Sequence, residues 1–596
     1  MERVLKNYNY PLALRKLLFL AATPIIAFYI MQFIYGGYPW SYPLLVVAGN
    51  AMCIGALYYL LCALTGRIAL CSIVVCLLAS LIGTANYFIY SFRGNPILPW
   101  DFKALKTAMA VSGNYHYHFT WQIITAIVLL TAAIVWFYKK QIYLRIRLWG
   151  RWYRFALLLI GLCCTAPVLH PEILEDMGIS SDVWDQGKSY REKGVVGAFL
   201  TNLLFMEVDV PSDYSEETWH ELLDSTDGGT EGAVGAAGET EKEEQLPHVI
   251  AIMNESWADF ESFGNLDLSE GVMDYINGLD AIHGVAYASV FGAGTSASEF
   301  EFLTGNSMAF LPSGSIPYQQ YILEPSQSLA SLLKEKGYTC LAHHPGEKSS
   351  WNREKAYPLL GFDSFKCAED MDVELTMEHG YVSDASSFDQ IIYELEHKEE
   401  GEKLFLFNVT IQNHGSYEDE DFETEVFVEN APGKYPLAEQ YLTLVHKTDE
   451  AFETLIRYLE DFDEPVILVM FGDHQPALEQ EFLDLAYGVE QDEMDMSQYL
   501  DKFKVPYIIW ANYDLPDEEG AETSLNFLAQ DVLKYAGIPT ADYGDYLNDF
   551  RMSVPVLSFA GYKDIQGNAY SHLESTIYTQ EIENYKIVQY GILFGE

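Results

Sequence analysis

The chain has 596 residues, too many for a single ordinary domain, and 49% of them are hydrophobic. Its 35 Lys and Arg against 85 Asp and Glu give a net charge of −50 at pH 7. Residues 1–200 hold 17 basic and 8 acidic residues, which leaves 18 and 77, a charge of −59, for residues 201–596. So acidic a region lacks the basic footprint of a nucleic-acid-binding protein, which excludes nucleic acid as a partner.

Long apolar segments fill the first 170 residues and predict a transmembrane domain. Each has few or no charges and roughly the length that a helix needs to cross a bilayer. Buried core helices are the alternative, but these segments are too long and too poor in charge for it. We predict five spans: Leu14–Ile34, Tyr42–Leu64, Ala69–Tyr90, Thr120–Tyr138 and Phe155–Leu169.

The basic residues in the short loops predict the orientation of these spans. Arg3, Lys6, Arg15 and Lys16 precede the first span, and six Lys and Arg lie between the fourth and the fifth. The N-terminus is therefore expected inside the cell, and five crossings place the rest of the chain outside, at the cell membrane. Basic residues at positions 93, 103 and 106 run against this trend.

Residues 171–246 contain a juxtamembrane segment followed by a Gly-, Ala- and acid-rich stretch. That stretch has no apolar periodicity, so we predict a flexible tether between a 1–170 membrane domain and a 247–596 extracellular domain. Six of the eight cysteines fall in the predicted spans and are expected to pack as small apolar residues. A disulfide between the other two, Cys340 and Cys367, is left open.

Apolar strands alternate with amphipathic helices after Pro247, which predicts an α/β domain with a mostly parallel sheet. The predicted strands include HVIAIMN, GYTCLAHH, LFLFNVT, PVILVMFG and VPYIIWAN. Four of them end in polar residues: Asn254-Glu255-Ser256, His343-His344, Asn413-His414 and Asp473-His474. In such sheets ligands bind beyond the carboxyl ends of the strands, so these groups are expected to form one site.

The residue types at these strand ends suit a divalent cation and a phosphoryl group. Glu255, Asp473 and His474 are candidate ligands, although each alone could be a capping acid, a loop histidine or a turn residue. Oxygen and imidazole ligands are compatible with Mn2+, Mg2+ or Zn2+. Donors are also needed for phosphate oxygens, and His344, Arg353 and His414 could supply them, with Trp351 as an apolar wall.

The stretch FGAGTSASEFEFLTGN, residues 291–306, places small hydroxyl residues on a Gly-rich turn ahead of a helix. Thr295 or Ser296 could simply cap that helix. Alternatively, Thr295 could be a nucleophile whose hydroxyl lies at a helix N-terminus and is activated by a metal ion. We favour the nucleophile, and the capping role does not exclude it.

The spans, the tether and the motifs together resemble the lipoteichoic acid synthase family, membrane-anchored members of the alkaline phosphatase and sulfatase-like superfamily. The motifs are MNES, GAGTSASEFEFLTGNS, HPGEKSSWNR, QNHG and FGDHQP, in the family's order and spacing. The resemblance covers nearly the whole chain. It implies a sulfatase-like fold for residues 247–596.

The resemblance also implies a function. The residue at the position of Thr295 is the family's nucleophile and a metal ligand, together with Glu255, Asp473 and His474, and the metal is usually Mn2+ and sometimes Mg2+. His344, Trp351, Arg353 and His414 are expected to line the headgroup pocket. The implied enzyme is a phosphoglycerol transferase that cleaves phosphatidylglycerol and passes glycerol phosphate to a glycolipid or to a growing lipoteichoic-acid-type polymer.

Two rival functions remain. A transferase of another headgroup, such as phosphoethanolamine, would usually carry more metal-binding histidines and several ectodomain disulfides. A scaffold with a degraded site would not need the complete set of Glu255, Thr295, Asp473 and His474. A true sulfatase is disfavoured, because TSASE lacks the Pro and Arg of the motif in which sulfatases mature a Cys or Ser.

Overall fold

The computed structural model describes residues 10–37, 41–93, 96–102, 119–139, 150–180, 186–205, 208–224 and 246–595. The chain divides into two compact units, one of Met1–Phe102 with Tyr117–Asp209 and one of Lys103–His116 with Val210–Glu596. We call them the membrane unit and the catalytic unit. The predicted tether, residues 225–245, lies outside the described residues, and the predicted three-part division of the chain stays a prediction.

Helices make up the described part of the membrane unit. They are α1 Tyr10–Tyr35, α2 Leu44–Thr65, α3 Ile68–Arg93, α4 Trp121–Lys139, α5 Gly150–Cys164, α6 Ala166–Leu169, α7 Glu172–Asp176, α8 Gln186–Lys193 and α9 Val195–Thr201. Short 3-10 turns at Pro99–Phe102 and Asn202–Phe205 complete it. Most residues that pack between the helices are apolar or small, with buried polar exceptions such as Gln32 and Asn50. Cys53, Cys62, Cys71, Cys76 and Cys164 are buried as free thiols, while Cys163 is exposed.

Four helical stretches of the described residues are long and apolar enough to cross a membrane: Lys16–Tyr35, Leu44–Thr65, Ile68–Ser91 and Trp152–Leu169. The predicted N-terminal membrane domain is therefore confirmed as a set of long apolar helices. The described residues contain four such helices, whereas we predicted five. The fourth predicted span is helical, yet its apolar part, Trp121–Val135, is shorter than the others.

The catalytic unit is built around an eight-stranded sheet. Its strands are β1 His248–Asn254, β2 Ile282–Tyr287, β3 Tyr338–His344, β4 Ser364–Cys367, β7 Lys403–Val409, β8 Val466–Gly472, β9 Lys504–Ala511 and β10 Glu522–Ser524. Their order across the sheet is β10-β2-β9-β8-β1-β7-β3-β4. Strands β8, β1, β7, β3 and β4 are parallel, and β9 runs antiparallel to both of its neighbours. The central strands are fully buried, as their continuous apolar sequences require.

Helices cover both faces of this sheet. They are α10 Glu216–Asp224, α11 Asp274–Gly278, α12 Thr295–Thr304, α13 Pro317–Gln320, α14 Leu329–Glu335, α15 Arg353–Leu359, α16 Asp384–His397, α17 Pro436–Glu460, α18 Gln480–Tyr487, α19 Met496–Asp501, α20 Leu525–Tyr535, α21 Asp542–Phe550 and α22 Thr579–Phe594. Smaller sheets are formed by β5 Met377–Glu378 with β6 Tyr381–Val382, and by β11 Val556–Ser558, β12 Gly561–Lys563 and β13 Ala569–Tyr570.

The sheet topology brings the four polar strand ends to one end of the sheet. Strands β8, β1, β7 and β3 are consecutive parallel neighbours, so Glu255, His344, Asn413 and Asp473 all follow carboxyl ends on the same side. The predicted mostly parallel α/β domain is thereby confirmed. Cys340 and Cys367 are both free thiols, with Cys340 Sγ directed at the Ala330 carbonyl oxygen and Cys367 Sγ at the Asp370 carboxylate.

Candidate active site

Three buried side chains at the ends of β1 and β8 converge on one point. One ligand atom each from Glu255, Asp473 and His474 lies within 4.8 Å of the other two. His474 Nε2 is 3.3 Å from Asp473 Oδ2 and 3.8 Å from Glu255 Oε1. The turns that follow both strands hold these groups: Asp473 Oδ1 accepts hydrogen bonds from the backbone N–H groups of Ser256, at 2.7 Å, and His474, at 2.8 Å.

The atoms that face each other have no hydrogen-bond donor between them. Asp473 Oδ2 and His474 Nε2 are buried and have no hydrogen-bond partner. His474 Nδ1 lies 3.1 Å from the Gln475 carbonyl oxygen, to which it must donate, so the neutral ring directs its Nε2 lone pair at the two carboxylates. Glu255 Oε1 accepts from Ser256 Oγ at 3.0 Å, but the Asp473 and His474 acceptors face each other, which is costly unless a cation lies between them.

Burial also makes the charges of this cluster unfavourable. Burial, together with the neighbouring Asp473, raises the pKa of Glu255, and burial raises the pKa of Asp473 to about 7. Burial lowers the pKa of His474, which keeps its ring neutral. A divalent cation would neutralise the carboxylates and accept the imidazole lone pair, so the residues present fit a metal ion with oxygen and nitrogen ligands.

Thr295 is the first residue of α12 and lies beside this cluster. Its Oγ1 donates to Glu255 Oε2 at a distance of 3.5 Å. Gly294 has a φ of +112°, a left-handed conformation that glycine adopts readily, and allows the chain to enter the helix at this angle. The N-cap residue is Gly294, and no side-chain hydrogen bond caps the helix. Because Thr295 and Ser296 are already inside the helix, the alternative in which one of them is the N-cap is wrong.

Two of the predicted pocket histidines flank the cluster on neighbouring strands. His344 ends β3, and its Nδ1 lies 3.0 Å from the Val409 carbonyl oxygen, to which it donates. Burial and then the nearby Arg353 charge hold the pKa of His344 well below its usual value. His414 follows β7, with its Nδ1 2.7 Å from the Gly415 carbonyl oxygen, and its charge would lower the pKa of Glu255.

Arg353 is buried, with 1% of its surface exposed, and pairs with a residue that sequence reasoning did not single out. Its Nε donates to Glu299 Oε1 at 2.9 Å, its Nη2 donates to the same oxygen, and Tyr357 donates to Glu299 Oε2 at 2.6 Å. Burial works against the Arg353 charge, but the Glu299 carboxylate outweighs it and raises the pKa of Arg353. Arg353 Nη1 is buried and has no partner, which leaves its two N–H groups for ligand oxygens.

Trp351 is half-buried on the turn Ser350–Asn352 that leads into Arg353. Trp351 and Asn352 both have positive φ values, +55° and +72°, in a region that favours glycine. Asn352 Nδ2 anchors this turn by donating to the Tyr318 carbonyl oxygen at 2.8 Å. The turn thus fixes Trp351 next to Arg353. Of the predicted site residues, Glu255, Thr295, Asp473 and His474 are the ones that the structure brings into direct proximity.

Residues 247–538 match the family model described as Sulfatase. A Rhizobium meliloti protein assigned to cyclic beta-1,2-glucan modification is 30% identical over 425 residues, 70% of this chain and 64% of that protein. Lipoteichoic acid synthase 1 of Bacillus subtilis is 29% identical over 240 residues, 38% of this chain and 36% of that protein. The chain thus spans less than two thirds of the length of either relative.

A solved structure shares the fold. The phosphoglycerol transferase GacH of Streptococcus pyogenes, solved in complex with sn-glycerol-1-phosphate, superposes with a TM-score of 0.53 at 19% identity. The match covers 65% of this chain and 96% of that one. Together these matches support a lipoteichoic acid synthase-like member of the alkaline phosphatase superfamily. The resemblance predicted from the motifs is confirmed at the level of the family and the fold.

Some residues of this sulfatase-like site escaped the sequence analysis. Ser298 donates to the Asp473 carbonyl oxygen at 2.6 Å, and Glu299 orients Arg353. Both lie within the quoted stretch TSASE, and an acidic residue inside a helix that is otherwise buried was a signal for Glu299. Beneath the site, Asp384 Oδ2 accepts from Asn254 at 2.7 Å and Thr448 at 2.8 Å, a network that links α16 and α17 to β1 and that no local pattern indicates.

Proposed function

We propose that this chain is a metal-dependent phosphotransferase that cleaves phosphatidylglycerol through a covalent threonine intermediate. It transfers glycerol phosphate to an acceptor hydroxyl at the outer face of the cell membrane. The proposal depends on one observation: the Thr295 hydroxyl lies at the N-terminus of a buried helix, 3.5 Å from the Glu255 carboxylate. That carboxylate belongs to the cluster of Glu255, Asp473 and His474. GacH and lipoteichoic acid synthase 1, named for this chemistry, support the choice of substrate class.

Glu255, Asp473 and His474, together with the Thr295 hydroxyl, would hold the metal. Bound there, a divalent cation would lower the pKa of the threonine hydroxyl and offset the charge of the phosphoryl group. The helix N-terminus adds a fixed positive potential where the phosphate must lie. These features prepare Thr295 Oγ1 for attack on phosphorus.

The remaining pocket residues would bind the phosphate and manage protons. Arg353 Nη1 can donate to a phosphate oxygen, since Glu299 already occupies the other side of its guanidinium group. His344 donates through Nδ1 to the Val409 carbonyl oxygen, so its Nε2 atom can exchange a proton with a substrate oxygen, and His414 would line the same pocket.

The reaction has two displacements. Thr295 Oγ1 forms a bond to phosphorus and loses its proton, while the bond from phosphorus to the diacylglycerol oxygen breaks and that oxygen takes up a proton. In the second step an acceptor hydroxyl attacks the same phosphorus, loses its proton, and Thr295 regains its hydroxyl. Diacylglycerol and a glycerol-phosphate-modified acceptor are the products.

Two acceptor classes deserve a direct comparison. A lipoteichoic-acid-type polymer or its glycolipid starter follows from the resemblance of the motifs. A glycan acceptor is favoured by the Rhizobium meliloti relatives, which are assigned to cyclic beta-1,2-glucan modification and to capsular polysaccharide biosynthesis. Offering both acceptors together with radiolabelled phosphatidylglycerol, and separating the labelled products, decides between them.

The nucleophile and the headgroup are tested together by mass spectrometry of the full chain. After incubation with phosphatidylglycerol and Mn2+, a tryptic peptide containing Thr295 should gain the mass of one glycerol phosphate unit. Thr295→Ala should lose the adduct, and Ser296→Ala, which removes the neighbouring hydroxyl, should keep it. An adduct formed only from phosphatidylethanolamine would favour the rival headgroup, and no adduct with either lipid, with no release of diacylglycerol, would favour a scaffold.

A further inference from the structure

Two segments of the membrane unit, residues 96–102 and 186–205, pack on polar side chains of the long helices. Gln32 of α1 donates to the Tyr190 carbonyl oxygen at 3.0 Å and accepts from the Val195 N–H at 2.9 Å. Asn50 of α2 donates to the Lys193 carbonyl oxygen at 2.8 Å and accepts from the Gly197 N–H at 2.8 Å. We call these two segments the cap.

The cap lies at one end of the helices. Gln32 is near the last turn of α1, Asn50 is in the second turn of α2, and Asn86, which accepts from the Ile97 N–H at 3.0 Å, is near the end of α3. Tyr190 ties the two segments together by donating to the Ile97 carbonyl oxygen at 2.7 Å. In the orientation predicted from the loop charges, the ends of α1 and α3 and the start of α2 lie at the outer face of the membrane, and the cap lies there with them.

The exposed side of α8 in this cap is basic. Its sequence QGKSYREK carries three basic residues and one acid, and Lys188, Arg191 and Glu192 are exposed while Lys193 is half-buried. The Arg191 guanidinium lies 5.6 Å from the centre of the Tyr90 ring, which holds it over the end of α3. Gly187 allows this close packing, since a Cβ there would approach the Tyr90 ring within 2.5 Å.

Apolar side chains accompany this basic helix. Directly after α8, the segment Val195–Leu204 forms a short apolar helical stretch. Phe102 of the other cap segment has 66% of its surface exposed, and its ring lies 6.1 Å from that of Phe199. A basic helix beside the exposed Phe102 ring and the half-buried Phe199 ring, at the end of long apolar helices, has the composition of an element that lies at the lipid headgroups.

From this arrangement we propose that α8 is a binding site for the phosphate of an anionic phospholipid in the adjoining leaflet. Lys188, Arg191 and Lys193 would bind the phosphodiester, and the Phe102–Phe199 surface would contact the acyl chains. The net +2 of α8 contrasts with the −59 of residues 201–596, which would otherwise repel an anionic lipid surface. Basic residues on the predicted outer side, where the positive-inside trend disfavours them, are consistent with a dedicated role.

This site does not depend on the proposed transferase reaction. Its backbone is held by Gln32 and Asn50, and none of its basic residues belongs to the candidate active site. The recognised group is the anionic phosphodiester, so phosphatidylglycerol and other anionic phospholipids should compete for it, whereas zwitterionic phosphatidylcholine should not.

The experiment uses the full chain in nanodiscs of phosphatidylcholine with a minor fraction of phosphatidylglycerol. Native mass spectrometry of the extracted protein should show phosphatidylglycerol enriched over its share in the nanodisc. The triple variant Lys188→Gln, Arg191→Gln, Lys193→Gln should reduce that enrichment on the order of tenfold or more, since each basic residue near a lipid surface contributes to binding. Raised salt should weaken the wild-type enrichment.

A matched control removes the same charge elsewhere. Lys334→Gln, Arg457→Gln, Lys534→Gln changes exposed side chains of the catalytic unit and should leave the enrichment unchanged. The comparison is repeated in the His414→Ala background, so that lipid held in the active-site pocket does not decide the outcome. Equal enrichment in the α8 triple variant and the wild type, with matching thermal unfolding, would overturn the proposal.

Discussion

In the membrane unit, the carboxamides of Gln32 and Asn50 are buried and every donor and acceptor on them is used, mostly by the backbone of the cap. In the catalytic unit, buried polar atoms of Asp473, His474 and Arg353 have no partner. The groups with partners join two parts of the chain, whereas the groups without partners are available to bind a metal ion or a phosphate. At these five residues, the buried groups with partners serve the architecture and those without partners serve the proposed chemistry.

The largest effect should come from Asp473→Asn. The amide oxygen can still accept from the Ser256 and His474 N–H groups, but the negative charge that Asp473 would offer to the metal is lost. We expect turnover to fall by more than about a hundredfold, because even residues behind metal ligands cost 10–100-fold. In thermal unfolding, Mn2+ should raise the Tm of the wild type and have little effect on that of the variant.

The control for this prediction is a buried carboxylate whose hydrogen bonds are satisfied. Asp564 accepts from the N–H groups of Gln566 and Asn568 and from Tyr570. Asp564→Asn should lower the Tm but leave its response to Mn2+ intact. A wild-type Tm that does not respond to Mn2+ would contradict a metal site at Glu255, Asp473 and His474.

Arg353→Ala should affect both stability and turnover. It leaves the Glu299 carboxylate, 0% exposed, without its cation, and breaking a buried ion pair in this way costs about 3–5 kcal/mol. The double variant Arg353→Ala, Glu299→Gln removes that uncompensated charge, so it should recover part of the unfolding free energy. Turnover should stay low in both variants, because the N–H groups for the phosphate are gone.

Measuring unfolding and turnover in both variants separates the two roles of Arg353. If the double variant recovered turnover along with stability, Arg353 would be a structural residue only. Arg353→Lys adds a second comparison, since lysine keeps the charge but lacks the planar guanidinium whose separate nitrogens can face Glu299 and a phosphate oxygen.

Much of this could be predicted from the sequence because the signals are local. The central strands are continuous apolar runs, and their polar ends could be assigned to one end of the sheet from topology alone. The Gly-rich turn before Thr295 was visible for the same reason. The antiparallel direction of β9 was not visible, because a buried strand has the same pattern in either direction.

Pairings between distant residues could not be predicted. Glu299 and Arg353 are 54 residues apart, and Gln32 and Val195 are 163 apart. Neither partner carries a pattern that identifies the other, since a buried polar residue is satisfied by whichever donor the fold brings near it. The predicted fourth span, Thr120–Tyr138, was too long for a simpler reason. Composition locates an apolar stretch more reliably than it locates the ends of that stretch.

A smaller effect is expected from Gln32→Met in the membrane unit. Methionine fills a similar volume but leaves the Val195 N–H and the Tyr190 carbonyl oxygen without partners, which costs about 1–3 kcal/mol. The Tm of the full chain in detergent should fall accordingly. Ser80→Ala is the control, because Ser80 bonds only to the Cys76 carbonyl oxygen of its own helix and should change the Tm little.

The smallest effect concerns Glu394, a half-buried carboxylate that lies close to two basic side chains. Burial opposes its charge, but His343, 3.2 Å away, and Lys366, 2.6 Å away, outweigh it and lower the pKa of Glu394 to about 2. Its unfolded pKa is 4.5, so it stabilises the fold above pH 4.5 and loses that contribution as the pH falls towards 2. With an allowance for solvent screening, the loss should be about 1 kcal/mol.

Glu394→Gln should remove this part of the acid dependence of unfolding, whereas Glu453→Gln, in an exposed pair with Arg457, should retain it. An unchanged acid dependence in Glu394→Gln would mean that these contacts do not distinguish the native carboxylate from the unfolded one, and the contrast between satisfied and unsatisfied buried groups would lose its quantitative support here.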